Sequence, residues 1–209
     1  MVLKLIEYLN SKNVVFGTTS SPRRKIFTDL GIKFEALGSS FEENLPKTEP
    51  LDYVSKTCRG KFEEIVEKNP YKDMDILITS DTIVVHKEKI LEKPKNNEEI
   101  YDWFKSYSDS SVKCFTSVLI GFIKKNQNGE NSVYKSEQFL TESEIKFSEI
   151  DEESVKIYIE SGEPFNKAGG FGIQGLGSIF IKGIKGCYYN VVGFPVNNFF
   201  NKLMEMLKE

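Results

Sequence analysis

The run 76-ILITSDTIVVH-86 decides how the chain is read. Apolar, largely β-branched residues stand on both sides of Thr79-Ser80-Asp81-Thr82. That pattern reads as a buried strand interrupted by polar residues and then a second strand, a unit closed by 89-KILEKP-94. An aspartate in such surroundings is costly to bury without partners. Asp81 is either a strand-end acid bonded to turn amides, or a metal ligand or general base. Its partners decide between these.

Upstream, 14-VVFG-17 reads as a short strand running into 17-GTTSSPRRKIF-27. Pro22 stands where a first helical turn begins, Ile26, Phe27 and Leu30 supply an apolar face, and Gly31 ends the helix. The hydroxyl-rich turn with its basic pair suits a surface loop, a phosphorylation site or a phosphate cradle. A loosely alternating strand is expected over 32–39 and a helix over Leu51–Lys68. Downstream, 97–108 and 151–162 read as helices, the second with an acidic start that suits the helix dipole. The segments 112–125, 132–147 and 179–193 read as strand-rich, and 195–209 as a final helix. The first twelve residues, 1-MVLKLIEYLNSK-12, form a short amphipathic helix and do not resemble a secretory signal. Mixed strands and helices predict an α/β or α+β sheet domain, and no linker divides residues 1–209.

Composition narrows the function. The chain has 209 residues, 39% hydrophobic and 28% charged, with a net charge of -3. That balance argues against a nucleic-acid polymer as partner, though a few cations can still converge on one anion. No apolar run is long enough to span a membrane. Cys58, Cys114 and Cys187 lie far apart, and His86 is the only histidine, so a Cys/His zinc site is not expected. The cysteines read as reduced thiols of a cytoplasmic protein, and His86 and Trp103 as structural residues.

Charged candidates surround Asp81 in sequence. Glu42 and Glu43 follow the strand at 32–39, Lys61 lies mid-helix, Lys93 precedes Pro94, and Arg23 and Arg24 follow Pro22. Singly, each suits a solvated surface. Together, carboxylates beside fixed cations suit phosphate chemistry, in which a metal and lysines neutralise charge developing on phosphorus oxygens. The second cluster is 166-NKAGGFGIQGLGS-178. It matches G-x-G-x-x-G in letters, but strand residues follow where a dinucleotide site needs a helix, and there is no P-loop motif. Alone it reads as a glycine-rich hairpin or bulge. Gln174 within it carries an amide able to read a base edge.

Taken in order, 20-SSPRRKIF-27, 79-TSDTIV-84, 91-LEKP-94, 115-FTSV-118, 163-EPFNKAGGFGIQGLGSIFI-181 and 188-YYNVVGFP-195 resemble the Maf-like family of nucleotide pyrophosphatases, over almost the whole chain. The resemblance implies the fold of the inosine triphosphate pyrophosphatase superfamily: an elongated mixed β-sheet flanked by helices, with two lobes and a deep nucleotide cleft. It implies hydrolysis of a nucleoside triphosphate to monophosphate and pyrophosphate with Mg²⁺ or Mn²⁺, and homodimers are frequent in the family. By position, Asp81 is implied as proton acceptor and metal ligand. Lys61 and Lys93 are implied at the triphosphate end, and Glu42 or Glu43 in the metal site. Arg23, Thr82 and Gln174 are implied in substrate choice, a combination resembling the branch acting on dTTP and UTP. Thr19, Ser21 and Arg24 are then expected to help hold substrate. The rival readings are a purine or 7-methyl-GTP substrate, and a catalytically weak nucleotide-binding regulator of cell division. Asn166 stands where the family usually has Asp, which removes one carboxylate from that region.

Overall fold

The computed structural model describes residues 3–47 and 49–208. The chain forms a seven-stranded mixed sheet among these residues, with helices on both faces. In order come α1 (Lys4–Asn10), β1 (Val14–Gly17), α2 (Ser21–Asp29), β2 (Glu35–Ala36) and α3 (Pro50–Lys68). Then follow β3 (Ile76–His86), β4 (Lys89–Leu91), α4 (Asn97–Tyr107), β5 (Ser111–Lys125) and β6 (Asn131–Phe147). The chain continues through α5 (Glu152–Glu160), three short 3-10 turns between Glu163 and Phe180, β7 (Ile181–Gly186), α6 (Tyr188–Val192) and α7 (Val196–Met206). The strand order is β2-β1-β3-β5-β6-β7, with β4 also paired to β3. No described helix is long and apolar enough to cross a membrane.

The expected pair of strands at 76–86 is one continuous strand. Residues Ile76–Val85 are paired in unbroken register with β5, which carries the ladder straight through Ser80, Asp81 and Thr82. The other side of β3 is discontinuous. Parallel β1 ends opposite Thr79 at Gly17, and antiparallel β4 begins opposite Val84 at Leu91. Residues 80–83 therefore have no strand neighbour on that side among the described residues. The carboxyl ends of β1 and β4 meet at this gap, so the segments after Gly17 and after Leu91 leave the sheet beside Asp81. Ligands of open α/β sheets commonly bind outside the carboxyl ends of strands.

Side-chain alternation sorts β3 onto two faces. Ile76 and Ile78 join a core with Phe16, Phe27, Phe199 and Leu203, beneath α1, α2 and α7. Val84 joins a separate core with Phe104, Tyr107, Phe147 and Tyr158, beneath α4 and α5. Ser80 and Thr82 fall on this same face, between the two cores. On the opposite face Leu77 packs with Cys58, Phe62 and Ile65 of α3, and Ile83 with Tyr53 and Val54. Asp81 belongs to that second face.

Other departures have local causes. The strand at 32–39 is reduced to Glu35–Ala36 because only these residues register with β1. The strand-rich reading of 179–193 holds for Ile181–Gly186 alone; 188-YYNVV-192 is helical despite its valines. Tertiary anchoring overrides strand propensity there: the Asn190 side chain donates to the Cys114 carbonyl at 3.1 Å and to Ser143 at 3.0 Å. The glycine-rich stretch is a chain of 3-10 turns, not a hairpin. The first and last helices are shorter than read, and Met1, Val2 and Glu209 of those segments lie outside the described residues. The three cysteines are free thiols. His86 faces the Ser111 carbonyl at 3.2 Å and the Tyr107 ring edge, a structural role.

Candidate active site

Asp81 is only 6% exposed. Its Oδ1 accepts from Lys61 Nζ at 2.7 Å, and the same Nζ lies 2.6 Å from Glu43 Oε1. Lys61 reaches this position because α3 runs along the Asp81 face of β3, with Cys58, Phe62 and Ile65 packed on the sheet. One lysine thus bridges two carboxylates. Asp81 Oδ2 accepts no hydrogen bond among the described residues.

The electrostatics suit proton transfer. Burial pushes the Asp81 carboxyl above its ordinary value, although Lys61 and Arg23 pull it down. Burial alone would lower the Lys61 ammonium, but Asp81 and Glu43 outweigh it and raise that group. The two shifts differ from those of a simple ion pair, in which the acid would fall. Near-complete removal of Asp81 from water explains the difference.

Arg23 occupies the opposite face of β3. Its Nε donates to the Gly193 carbonyl at 2.8 Å, one terminal nitrogen to the Ser80 carbonyl at 3.0 Å and the other to Thr82 Oγ1 at 2.7 Å. Thr82 Oγ1 is also 2.9 Å from Thr116 Oγ1. The Ser80 carbonyl belongs to the unpaired edge of β3, so the guanidinium fills part of the gap left by β1 and β4. Gly193 has φ 117°, a region that favours glycine, and this turn at the end of α6 presents its carbonyl to Arg23. Burial lowers the guanidinium, with Asp81 acting against that shift across the strand.

The expected residues therefore divide. Asp81, Lys61 and Glu43 come together on one face, and Arg23 with Thr82 on the other, the two sets meeting at residues 80–83. Glu42 is not drawn in; it is exposed and accepts from Asn44 at 3.1 Å. Thr19, Ser21 and Arg24 lie at the exposed start of α2, where the cap residue Ser20 makes no side-chain cap bond. Their side chains make no hydrogen bonds among the described residues, and the same is true of exposed Lys93 and Gln174. Lys93 lies two residues past the end of β4, after Glu92, beside the gap. Asn166 is exposed and makes no side-chain hydrogen bond to the Asp81 cluster. Sequence reading gave no role to Gly193, Thr116 and Asn190, whose contacts depend on β5, β6 and α6 meeting; the runs 115-FTSV-118 and 188-YYNVVGFP-195 signalled those regions without assigning them.

A mixed sheet thus carries a buried acid–lysine pair at a gap between strand ends, an arrangement common to α/β enzymes with sites at strand ends. The family model for Maf-like proteins matches residues 13–206. A dTTP/UTP pyrophosphatase of Clostridium botulinum is 37% identical over 198 residues, covering 94% of this chain and 98% of that protein. One of Clostridium perfringens is 36% identical over 192 residues, 90% of this chain and 95% of that protein. A human protein named as a probable bifunctional dTTP/UTP pyrophosphatase/methyltransferase is 35% identical over 208 residues, 97% of this chain but 33% of its own length. The chain belongs to the Maf-like family.

Proposed function

We propose that this protein hydrolyses dTTP and UTP, and modified pyrimidine triphosphates of similar shape, between the α and β phosphates. The products are the monophosphate and pyrophosphate, so the enzyme would clear the nucleotide pool. The observation that carries this reading is Lys61 held between Asp81 and Glu43 beside the open edge of β3. In this reading Asp81, poised by burial, takes a proton from the attacking water. Lys61 orients that carboxylate and offsets its charge. Lys93 neutralises charge on the departing pyrophosphate, and the uncapped start of α2, with Thr19, Ser21 and Arg24, offers amides and hydroxyls to phosphate oxygens. Arg23 and Thr82 shape the base-selecting side, and Gln174 pairs with a pyrimidine imide edge.

The donor set fits a divalent cation of the Mg²⁺ or Mn²⁺ kind. Asp81 and Glu43 each have one oxygen engaged by Lys61 and the other without a hydrogen bond among the described residues. Among the described residues, no cluster of three or more His, Cys, Asp or Glu side chains suited to a metal occurs. Two carboxylates are sufficient when substrate phosphates and water complete the shell. When bound, the cation would offset charge on the phosphate oxygens.

The test is product analysis with purified protein, dTTP or UTP, and Mg²⁺ or Mn²⁺. Equal amounts of monophosphate and pyrophosphate are expected. Stepwise release of orthophosphate, or nucleotide binding without turnover, would overturn the reading.

A further inference from the structure

The segment 38–47, which carries Glu43, has neither helix nor strand. Contacts fasten it at both ends. Ser39 and Ser40 donate to Glu64 of α3, which also accepts from Lys68. Phe41 packs against α3 at Gly60, where a Cβ would overlap its ring. Leu45 packs against the cluster of Tyr53, Val54, Ile83 and Phe115. Lys47 pairs with Glu92, and its ammonium lies 5.7 Å from the centre of the Tyr53 ring.

Glu92 is itself held. The Tyr53 hydroxyl donates to its other oxygen at 2.5 Å, and Tyr53 is 2% exposed, so this partner is fixed by the core. Burial and the Glu92 hydrogen bond keep the Tyr53 phenol protonated and therefore a donor. The same hydroxyl lies 3.4 Å from the Glu43 carbonyl oxygen. The Glu92 carbonyl accepts from Gly169 N at 3.0 Å. One residue thus joins the acidic segment, α3 and the glycine-rich turns, immediately before Lys93.

We infer that Tyr53, Glu92 and Lys47 form a clamp that positions Glu43 on Lys61, and through Lys61 orients Asp81. The need for it is physical. The Glu43 side chain is 49% exposed, and an ion pair that open to water fixes a segment without helix or strand weakly. The added restraint on Glu43 comes from Leu45, packed on the Tyr53 cluster, and from Tyr53, which holds Glu92 in place for its half-exposed pair with Lys47. Glu92 and Lys47 are positioning residues, since their contacts are with other side chains and not with reacting atoms. This inference rests on the pyrophosphatase reading for its kinetic arm only.

The experiment compares Lys47→Met, Lys47→Arg, Glu92→Gln and Lys47→Met/Glu92→Gln with the wild type. It measures kcat and KM for dTTP with Mn²⁺, and amide hydrogen exchange over residues 41–47. Lys47→Met and Glu92→Gln should each lower kcat about twofold to fivefold, with KM within about twofold and exchange over 41–47 faster. Because Lys47 acts through Glu92, the double variant should fall no further than either single one. Lys47→Arg should restore both readouts. Multiplicative losses, failure of arginine to restore, or unchanged exchange would overturn the clamp. If the wild type releases no pyrophosphate, the functional reading fails, and exchange alone decides the clamp: non-additive loss of protection with arginine rescue supports it, and anything else overturns it.

Discussion

Replacing Asp81 with Asn removes one charge and keeps nearly the same shape, so activity and stability should move in opposite directions. Asp81 is 6% exposed, and burial raises its proton affinity even with Lys61 at 2.7 Å. The folded state therefore bears a cost for keeping Asp81 ionised, about 1.4 kcal/mol for each unit by which its value is raised. Lys61 keeps Glu43 as a partner in the variant. Stability near neutral pH should be unchanged or higher by about 1 kcal/mol, a rise of roughly 2–4 °C in the melting midpoint of a chain this size. Loss of the base should lower kcat by about a hundredfold to ten-thousandfold. The pH dependence follows by linkage. A carboxyl raised in the folded state binds protons more tightly there, so its contribution to stability is present below the unfolded value, 3.8, and is lost as pH rises through the folded value. The stability advantage of Asp81→Asn should accordingly shrink toward low pH. Wild-type kcat should rise with pH as Asp81 deprotonates. Calorimetry and pyrophosphate release across pH measure both. Activity within tenfold of wild type, or a destabilisation of about 3 kcal/mol or more, would make Asp81 a structural ion-pair partner and refute the argument.

Arg23→Lys loses at least two of three internal hydrogen bonds, so stability should fall by about 2 kcal/mol, with weaker discrimination between dTTP and dGTP; denaturant melts and a substrate panel measure these, and unchanged stability would contradict the bonding. Gly60→Ala should gain about 1 kcal/mol of helix preference but displace Phe41, giving an unchanged or higher melting midpoint and lower kcat; full activity would show that the Phe41 contact does not matter. Burial would raise Glu64, but hydrogen bonds from Lys68, Ser39 and Ser40 outweigh it and hold the carboxyl at about 2. Its stabilisation is present above the ordinary 4.5 and lost as pH falls toward 2, so wild type and Glu64→Gln should differ in urea midpoint at neutral pH and converge in acid. A constant difference would contradict that linkage.

Local pattern carried much of the architecture. The helices at 97–107 and 152–160 declare themselves by apolar spacing, and their caps Asn96 and Asp151 bond the amides of Glu99 and Ser154. The long strands β5 and β6 were evident from their apolar, β-branched and alternating residues. Misreadings fell where tertiary contact outweighs local pattern. The polar run at 79–82 looks like a break, yet β5 pairs through it and the true interruption is on the other side of β3. Helix 188–192 exists because Asn190 is anchored to β5 and β6, which no local signal in two tyrosines and two valines reveals. Within the candidate site, Asp81 and Lys61 were legible as types of residue. Their pairing, the choice of Glu43 over Glu42, and the placement of Arg23 on the opposite face depend on strand register and on how α3 lies across the sheet.

The central proposal is that water attacks the α phosphorus with Asp81 as base. Turnover of dTTP in heavy-oxygen water, with both products analysed by mass spectrometry, tests it most directly. The label should appear in the monophosphate and not in pyrophosphate, and Asp81→Asn should form neither product at a comparable rate. Label in pyrophosphate would place the attack at the β phosphorus and contradict the mechanism.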